Sequence, residues 1–278
     1  MTARRPLCEM LAAARARPLI NVHRGLWGPA PENSLAAIEA ARPFDIVEID
    51  VRIAADGTPF LMHDPTLERM TGMDVPSSAL SGTELGRLAL LQGAGGAAAV
   101  RTDQRVPLLE EALQAGRGVL FDLDVKREGD LEAVAGFLAE CGDREGCTLK
   151  RDITGPGDIE DLQRLERRYG VTVLGKAMIR TGADLAVVRA AHEAGVQAVE
   201  LWFAALPLLR AAAGTGIPVT TYTLDDVHCD GLSDSRARDD PAGVWGALRA
   251  AGVRGIMTDR APALADFLSA APAAPVAF

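Results

Sequence analysis

Two of the chain's four histidines, His23 and His63, flank an acidic pair, Glu48 and Asp50, within the stretch HRGLWGPAPENSLAAIEAARPFDIVEIDVRIAADGTPFLMHD. Imidazoles give and take protons near neutral pH. Carboxylates at i and i+2 of a strand point to the same side, so Glu48 and Asp50 can share one divalent cation. Ile46, Val47, Ile49 and Val51 surround them. In so apolar a run unpaired carboxylates are costly, which favours a cation over two solvated acids. Proton-transfer groups around a carboxylate-bound metal can hydrolyse a phosphate ester.

These residues need a scaffold that presents strand ends. Short Val- and Ile-rich runs alternate with Ala- and Leu-rich helical stretches, the pattern of parallel strands with crossover helices. Strands are predicted at 19–22, 46–51, 119–125, 148–151, 171–177, 198–202, 217–223 and 255–258. Helices are predicted at 34–41, 108–115, 131–141, 158–169, 183–194, 206–213, 241–251 and 262–270, with Ser34 as an N-cap and Gly195, Gly214 and Gly252 as stops. Residues 55–58 read as a turn and 59–62 as a short extension delivering His63. Residues 65–107 break the rhythm and read as an excursion, with glycine and alanine clustered at 93–99.

Eight strand–helix units predict an α/β chain folded as a (β/α)8 TIM barrel, one domain over 1–278 with a small insertion after strand two. A doubly wound open sheet is the rival, but no glycine-rich phosphate loop follows the first strand. In a barrel, catalytic groups belong at the C-terminal ends of strands. His23, Asp50, Asp124, Lys126, Lys176, Trp202, Tyr222 and Asp259 fall there.

The segments His23-Arg24-Gly25, Pro31-Glu32-Asn33-Ser34, Glu48-Ile49-Asp50 and His63-Asp64-Pro65 follow in the order and approximate spacing of the glycerophosphodiester phosphodiesterase family, which this chain resembles. Asp124-Val125-Lys126 and the closing GIMTDR segment extend the resemblance over most of the chain. It implies metal-dependent hydrolysis of a glycerophosphodiester to glycerol 3-phosphate and an alcohol. His23 and His63 would be the general acid and base, in either order, and Glu48, Asp50 and Asp124 the metal ligands. All-oxygen ligation favours Mg²⁺ or Ca²⁺ over zinc. Most members carry Glu where this chain has Asp124, and the shorter arm would shift the ion or add a water. Asp122 shares the strand face of Asp124, as an outer partner or a member of buried salt links.

Arg24 and Lys126 are expected to hold non-bridging phosphate oxygens or to pair with the metal-binding acids. Glu32 and Asn33 either pin the first loop or touch the metal, and Asn33 and Ser34 are equally candidates for helix capping. Lys150 and Lys176 end strands four and five, where Lys176 either meets another anionic group or pairs with Glu200. Lys176, Trp202 and Tyr222 are the further substrate-binding candidates. Tyr222-Thr223-Leu224-Asp225 stands where the family often has Trp-Thr-Val-Asn, so the alcohol preference is open. His192 and His228 are expected to be incidental, with a pocket-facing position as the alternative for His228, which lies in the loop after strand seven. One rival keeps the fold but stops at a cyclic phosphate, as related phospholipase D-like toxins do; these also place Asp before the strand-three lysine. Another is a silent barrel that binds a phosphorylated ligand.

A formal charge of −9 argues against a nucleic-acid partner, and a small soluble phosphodiester is the expected one. No apolar run reaches bilayer-spanning length, so stable membrane insertion is not expected. The N-terminal segment, interrupted by Arg15 and Arg17, reads as a short amphipathic helix leading into the first strand and placed to plug the barrel bottom, not as a signal peptide. Cys8, Cys141, Cys147 and Cys229 lack paired metal spacing and predict a reduced, cytoplasmic protein, with a Cys141–Cys147 disulfide as the alternative.

Overall fold

Helix and strand alternate along the chain as the apolar pattern predicts. The structure, a computed structural model, describes residues 7–270; the 271–278 tail, expected to fray, lies outside them. The strands are β1 (Leu19–Val22), β2 (Ile46–Ile53), β3 (Pro59–Leu61), β4 (Ala89–Leu91), β5 (Arg101–Arg105), β6 (Leu120–Val125), β7 (Cys147–Asp152), β8 (Thr172–Ile179), β9 (Val199–Phe203), β10 (Val219–Tyr222) and β11 (Gly255–Thr258). The main sheet runs β1-β11-β10-β9-β8-β7-β6-β2-β3, and β1 also pairs with β2. Without β3, this is the eight-stranded parallel ring of a (β/α)8 barrel, the expected α/β class. Packing divides the described chain into residues 22–149 and residues 7–21 with 150–270.

In residues 22–149, β2 and β6 lie parallel with Glu48 opposite Asp122 and Asp50 opposite Asp124. Val47, Ile49 and Val51 alternate with the acids along β2 and are fully buried. Past Val51 the strand continues to Ile53, turns, and returns as β3, antiparallel with Val51 opposite Leu61. The Met62 N–H then donates to the Asp50 carbonyl at 3.1 Å, so the hairpin brings His63 back beside Asp50. The helix Leu35–Ala41 starts at Ser34, whose hydroxyl accepts from the Ala37 N–H at 3.2 Å. Residues 65–107 carry short helical turns and the antiparallel β4–β5 pair. Met70, Leu85, Leu90 and Val106 form a small core there with Phe60 and Met62.

In the other unit, helices Pro156–Tyr169, Leu185–Glu193 and Leu206–Ala213 alternate with β8, β9 and β10. The expected N-terminal helix is Leu7–Ala13. Its Leu11 is fully buried, 3.4 Å from where a Cβ on Gly255 would stand, at the start of β11. The helix expected at 241–251 is a continuous helical run over 241–250 that contains a π-type turn, Ala242–Gly246, and continues as Ala247–Ala250. A further helix, Asp234–Asp239, precedes it where the apolar pattern predicts none. The side chain of Asp240 takes the Gly243 N–H at 2.8 Å, and buried Asp234 accepts the Thr223 and Thr258 hydroxyls at 2.6 Å each. These polar anchors set the elements here, and apolar periodicity does not report them. Cys141, Cys147 and Cys229 are thiols, not disulfide partners. Among the described residues no helix is long and apolar enough to cross a membrane.

Candidate active site

Strand periodicity puts Glu48 and Asp50 on one face of β2, and the parallel register sets Asp124 directly beside Asp50. One carboxylate oxygen from each of Glu48, Asp50 and Asp124 lies within 4.8 Å of the others. Glu48 and Asp50 are 2% and 1% exposed. Three acids so close, two of them buried and the third half-buried, repel one another unless positive charge sits among them. Asp50 Oδ1 is buried without a hydrogen-bond partner, 2.6 Å from Lys126 Nζ, which also lies 2.7 Å from Asp124 Oδ2. An all-carboxylate set of this span fits a hard divalent cation. Burial works against the Lys126 ammonium, but Asp50, Asp124 and Glu48 push its pKa up to about 12. Burial likewise opposes ionisation of Asp50, and Lys126 and Arg24 prevail, holding its pKa below the ordinary carboxylate value. Asp122, one layer below, is 3% exposed and meets the Thr148 hydroxyl at 3.4 Å.

Asn33 holds the central acid from both sides. Its Nδ2 donates to Asp50 Oδ2 at 2.7 Å, and its Oδ1 accepts the Asp50 N–H at 3.0 Å. So Asn33 grips a candidate ligand while Ser34 caps the helix. Arg24 and Asn33 both take left-handed backbone conformations, φ 55° each, which are uncommon for a non-glycine residue and less so for asparagine. Here the Asn33 N–H donates to the Arg24 carbonyl and the Arg24 N–H to Glu48 Oε2, both at 2.9 Å. Gly25 completes the turn. A Cβ there would stand 2.8 Å from the backbone of Ala37. The Arg24 guanidinium reaches Glu32 through Nη1 at 3.0 Å and Asp50 through Nε at 3.1 Å. Burial disfavours its charge, yet Asp50, Glu32 and Glu48 raise its pKa.

His63 Nδ1 lies 2.7 Å from Asp64 Oδ1. Arg52 donates twice to the His63 carbonyl, at 2.6 and 3.1 Å, fixing its backbone. Burial, ahead of the opposing pull of Asp50, holds the His63 pKa below its usual 6.5. Asp64 is itself held at about 2: burial opposes ionisation, and the hydrogen bonds from Arg69 and His63 overcome it. Neutral His63 beside an ionised, acceptor-only carboxylate carries its proton on Nδ1, leaving the Nε2 lone pair open. His23 directly follows β1 and is half-buried.

Lys176, Trp202 and Tyr222 end or nearly end β8, β9 and β10 and line a cavity of about 690 Å³ with Met178, Arg180 and Glu200. Glu200 takes the buried Lys150 at 2.8 Å, and Lys176 lies 3.9 Å from Asp152. Asp259 donates its N–H to Asp234. His192 lies on the helix Leu185–Glu193, and His228 follows β10. The residue that sequence reasoning missed is Arg69. It lies in the segment read as an excursion, yet it contacts Asp64 and Glu32. A basic residue five positions after Asp64 is the only signal the sequence offers.

Comparison with known proteins puts this geometry in a family. The model of the glycerophosphoryl diester phosphodiesterase family matches residues 23–263. The chain is 27% identical over 268 residues to a probable glycerophosphodiester phosphodiesterase 2 of Mycobacterium tuberculosis, covering 89% of each. It is 43% identical over 70 residues to human glycerophosphodiester phosphodiesterase 1, a stretch spanning 24% of this chain and 21% of the human one. Among solved structures, a glycerophosphoryl diester phosphodiesterase from Parabacteroides distasonis superposes with a TM-score of 0.70 at 22% identity, covering 94% of this chain and 91% of that one. A phosphodiesterase from Oleispira antarctica, in complex with the product sn-glycerol-3-phosphate, superposes at 0.67 with 19% identity over 93% of this chain and 99% of that one. The two structures share the barrel, and the family match covers both histidines and all three clustered acids: the chain belongs to the glycerophosphoryl diester phosphodiesterase family, a family of phosphoric diester hydrolases.

Proposed function

We propose that this chain hydrolyses soluble glycerophosphodiesters to glycerol 3-phosphate and an alcohol, with His23 and His63 as the proton-transfer pair. The observation that carries the reading is the His63–Asp64 dyad beside a cluster of three carboxylates, two of them buried, in one unit. Family membership and the product held by the Oleispira antarctica relative support the same substrate class. Glu48, Asp50 and Asp124 would hold Mg²⁺ or Ca²⁺, which supplies charge neutralisation at the phosphate and a lowered pKa for an attacking hydroxyl.

The chain's own groups do the rest. Arg24 and Lys126, at the edge of the acid cluster, carry the charges that orient non-bridging phosphate oxygens. Neutral His63, with Nε2 open, removes the proton from the attacking hydroxyl, of water or of the substrate's own glycerol. His23 protonates the departing alcohol oxygen. Lys176, Trp202 and Tyr222, at barrel strand ends where substrate groups belong, receive the alcohol. A cytoplasmic location accords with the thiols of Cys141, Cys147 and Cys229.

The test is release of glycerol 3-phosphate from glycerophosphodiesters with choline, ethanolamine, inositol and glycerol head groups, in Mg²⁺, Ca²⁺ and chelator. Cation-dependent release is expected, falling by ~10²–10⁴-fold in His63→Ala and in His23→Ala. No release from any of them by folded, cation-binding protein overturns the reading. A persistent cyclic phosphate product would replace hydrolysis by intramolecular transfer.

A further inference from the structure

We propose that Arg69 is a positioning residue that sets the tautomer and orientation of His63, and that the glycine run 93–96 exists to seat it. The proposal rests on the reading of His63 as a proton-transfer group.

Arg69 lies on the four-residue helix Glu68–Thr71, inside the excursion. Its guanidinium makes a two-pronged contact with Asp64, Nε to Oδ2 at 2.6 Å and Nη2 to Oδ1 at 3.0 Å. Asp64 Oδ1 is the atom that also meets His63 Nδ1. A planar fork on a carboxylate fixes its plane, and with it the direction of the remaining lone pairs. Nη2 donates as well to Glu32 Oε1 at 2.7 Å. Glu32, 2% exposed, holds the Arg24 guanidinium, which touches Asp50. One arginine therefore joins the proton-transfer dyad to the acid cluster: His63 is hydrogen-bonded to Asp64, and ion pairs run on through Arg69, Glu32 and Arg24 to Asp50.

The main chain closes around Arg69 from the far side of its own segment. Nη1 donates to the Ala94 carbonyl at 2.6 Å, and the Gly96 N–H donates to the Arg69 carbonyl at 2.7 Å. Gly95 has φ +71°, and a Cβ there would stand 2.2 Å from the Arg69 carbonyl oxygen. The Gly93 carbonyl accepts the Glu32 N–H at 2.9 Å. The loop thus meets Arg69 and Glu32 through its main chain, and at Gly95 it approaches Arg69 as closely as only glycine allows. An arginine that merely tied the excursion down would need neither the fork on Asp64 nor this close approach.

The test reads His63 directly. Imidazole ¹⁵N spectra of the whole protein above neutral pH, with His63 assigned through His63→Gln, report which ring nitrogen carries the proton. Wild type is expected to show Nδ1–H, and Arg69→Met a mixture of the two tautomers. In the glycerophosphodiester assay kcat is expected to fall ~10–100-fold, the range for partners that orient a functional histidine, with KM within about twofold. Added methylguanidinium is expected to restore part of it. His63 keeping pure Nδ1–H in Arg69→Met overturns the proposal, whatever happens to turnover. So does an unchanged kcat in a variant whose substrate is turned over by wild type. If wild type turns over no diester, the functional reading fails while the spectra still decide the role of Arg69. Arg69→Lys, which keeps the charge and loses the fork, carries the same measurements if the methionine variant does not fold.

Discussion

Lys126 stands between two acids of the cluster, and its removal has a size that can be worked from the structure. Its Nζ lies 2.6 Å from Asp50 and 2.7 Å from Asp124, with the lysine side chain 16% exposed and that of Asp50 1%. At an effective dielectric of about 20, a unit pair at such a distance attracts by ~6 kcal/mol before desolvation is counted. Leaving a buried carboxylate without its partner costs about 3–5 kcal/mol net, and the partial exposure of Lys126 points to the lower end. Lys126→Met should therefore destabilise the chelator-treated protein by ~3 kcal/mol. For a chain of 278 residues the unfolding entropy is ~0.6 kcal/mol per kelvin, so the midpoint should fall by about 5 °C. A divalent cation bound in the acid cluster would supply the missing positive charge. With saturating Ca²⁺ or Mg²⁺ the gap between wild type and variant should shrink to less than half, the variant showing the larger cation-induced shift. Thermal unfolding of both proteins with and without cation is the assay. A gap below ~1 kcal/mol in chelator, or the same gap with and without cation, would refute the account of Lys126 as the cluster's own counter-cation.

Two further outcomes follow from the same site. Asn33→Ala removes two hydrogen bonds to Asp50, one of them to its charge; the loss should be ~2–4 kcal/mol in denaturant unfolding, and a loss under ~1 kcal/mol would mean that water replaces the amide. In the pH profile of kcat/KM, the acid limb should have its midpoint below 6.5, because burial holds His63 neutral to lower pH than a free imidazole. A midpoint above 6.5 would contradict this. Asp64 adds nothing to that limb: with its folded value at about 2, its contribution to stability is complete above its ordinary 3.8 and is lost only as pH falls toward 2.

What the sequence made legible depends on whether the signal repeats. Glu48 and Asp50 could be read because two acids break a β-branched run at the strand period, and any structure that buries Val47, Ile49 and Val51 on one face turns both acids to the other. Asp124 was legible only through the family resemblance, as the acid two residues before Lys126, and the register that pairs it with Asp50 is what lets acids on two parallel strands meet. The eight-unit alternation carried the barrel in the same way. Arg69 was not legible, because its role repeats nowhere. It depends on one side chain reaching across to Asp64 and Glu32, and on a glycine, Gly95, where a side chain would strike the Arg69 carbonyl. The helix Asp234–Asp239 escaped for a related reason. Its sequence, DSRARD, carries no apolar stripe, and what anchors it is Asp234 accepting the Thr223 and Thr258 hydroxyls. Periodicity reports which face of an element is buried; it is blind to a polar group that is buried because distant residues satisfy it. The excursion at 65–107 breaks the periodicity and so reads only as an insertion, yet it carries the guanidinium that grips Asp64, the partner of His63.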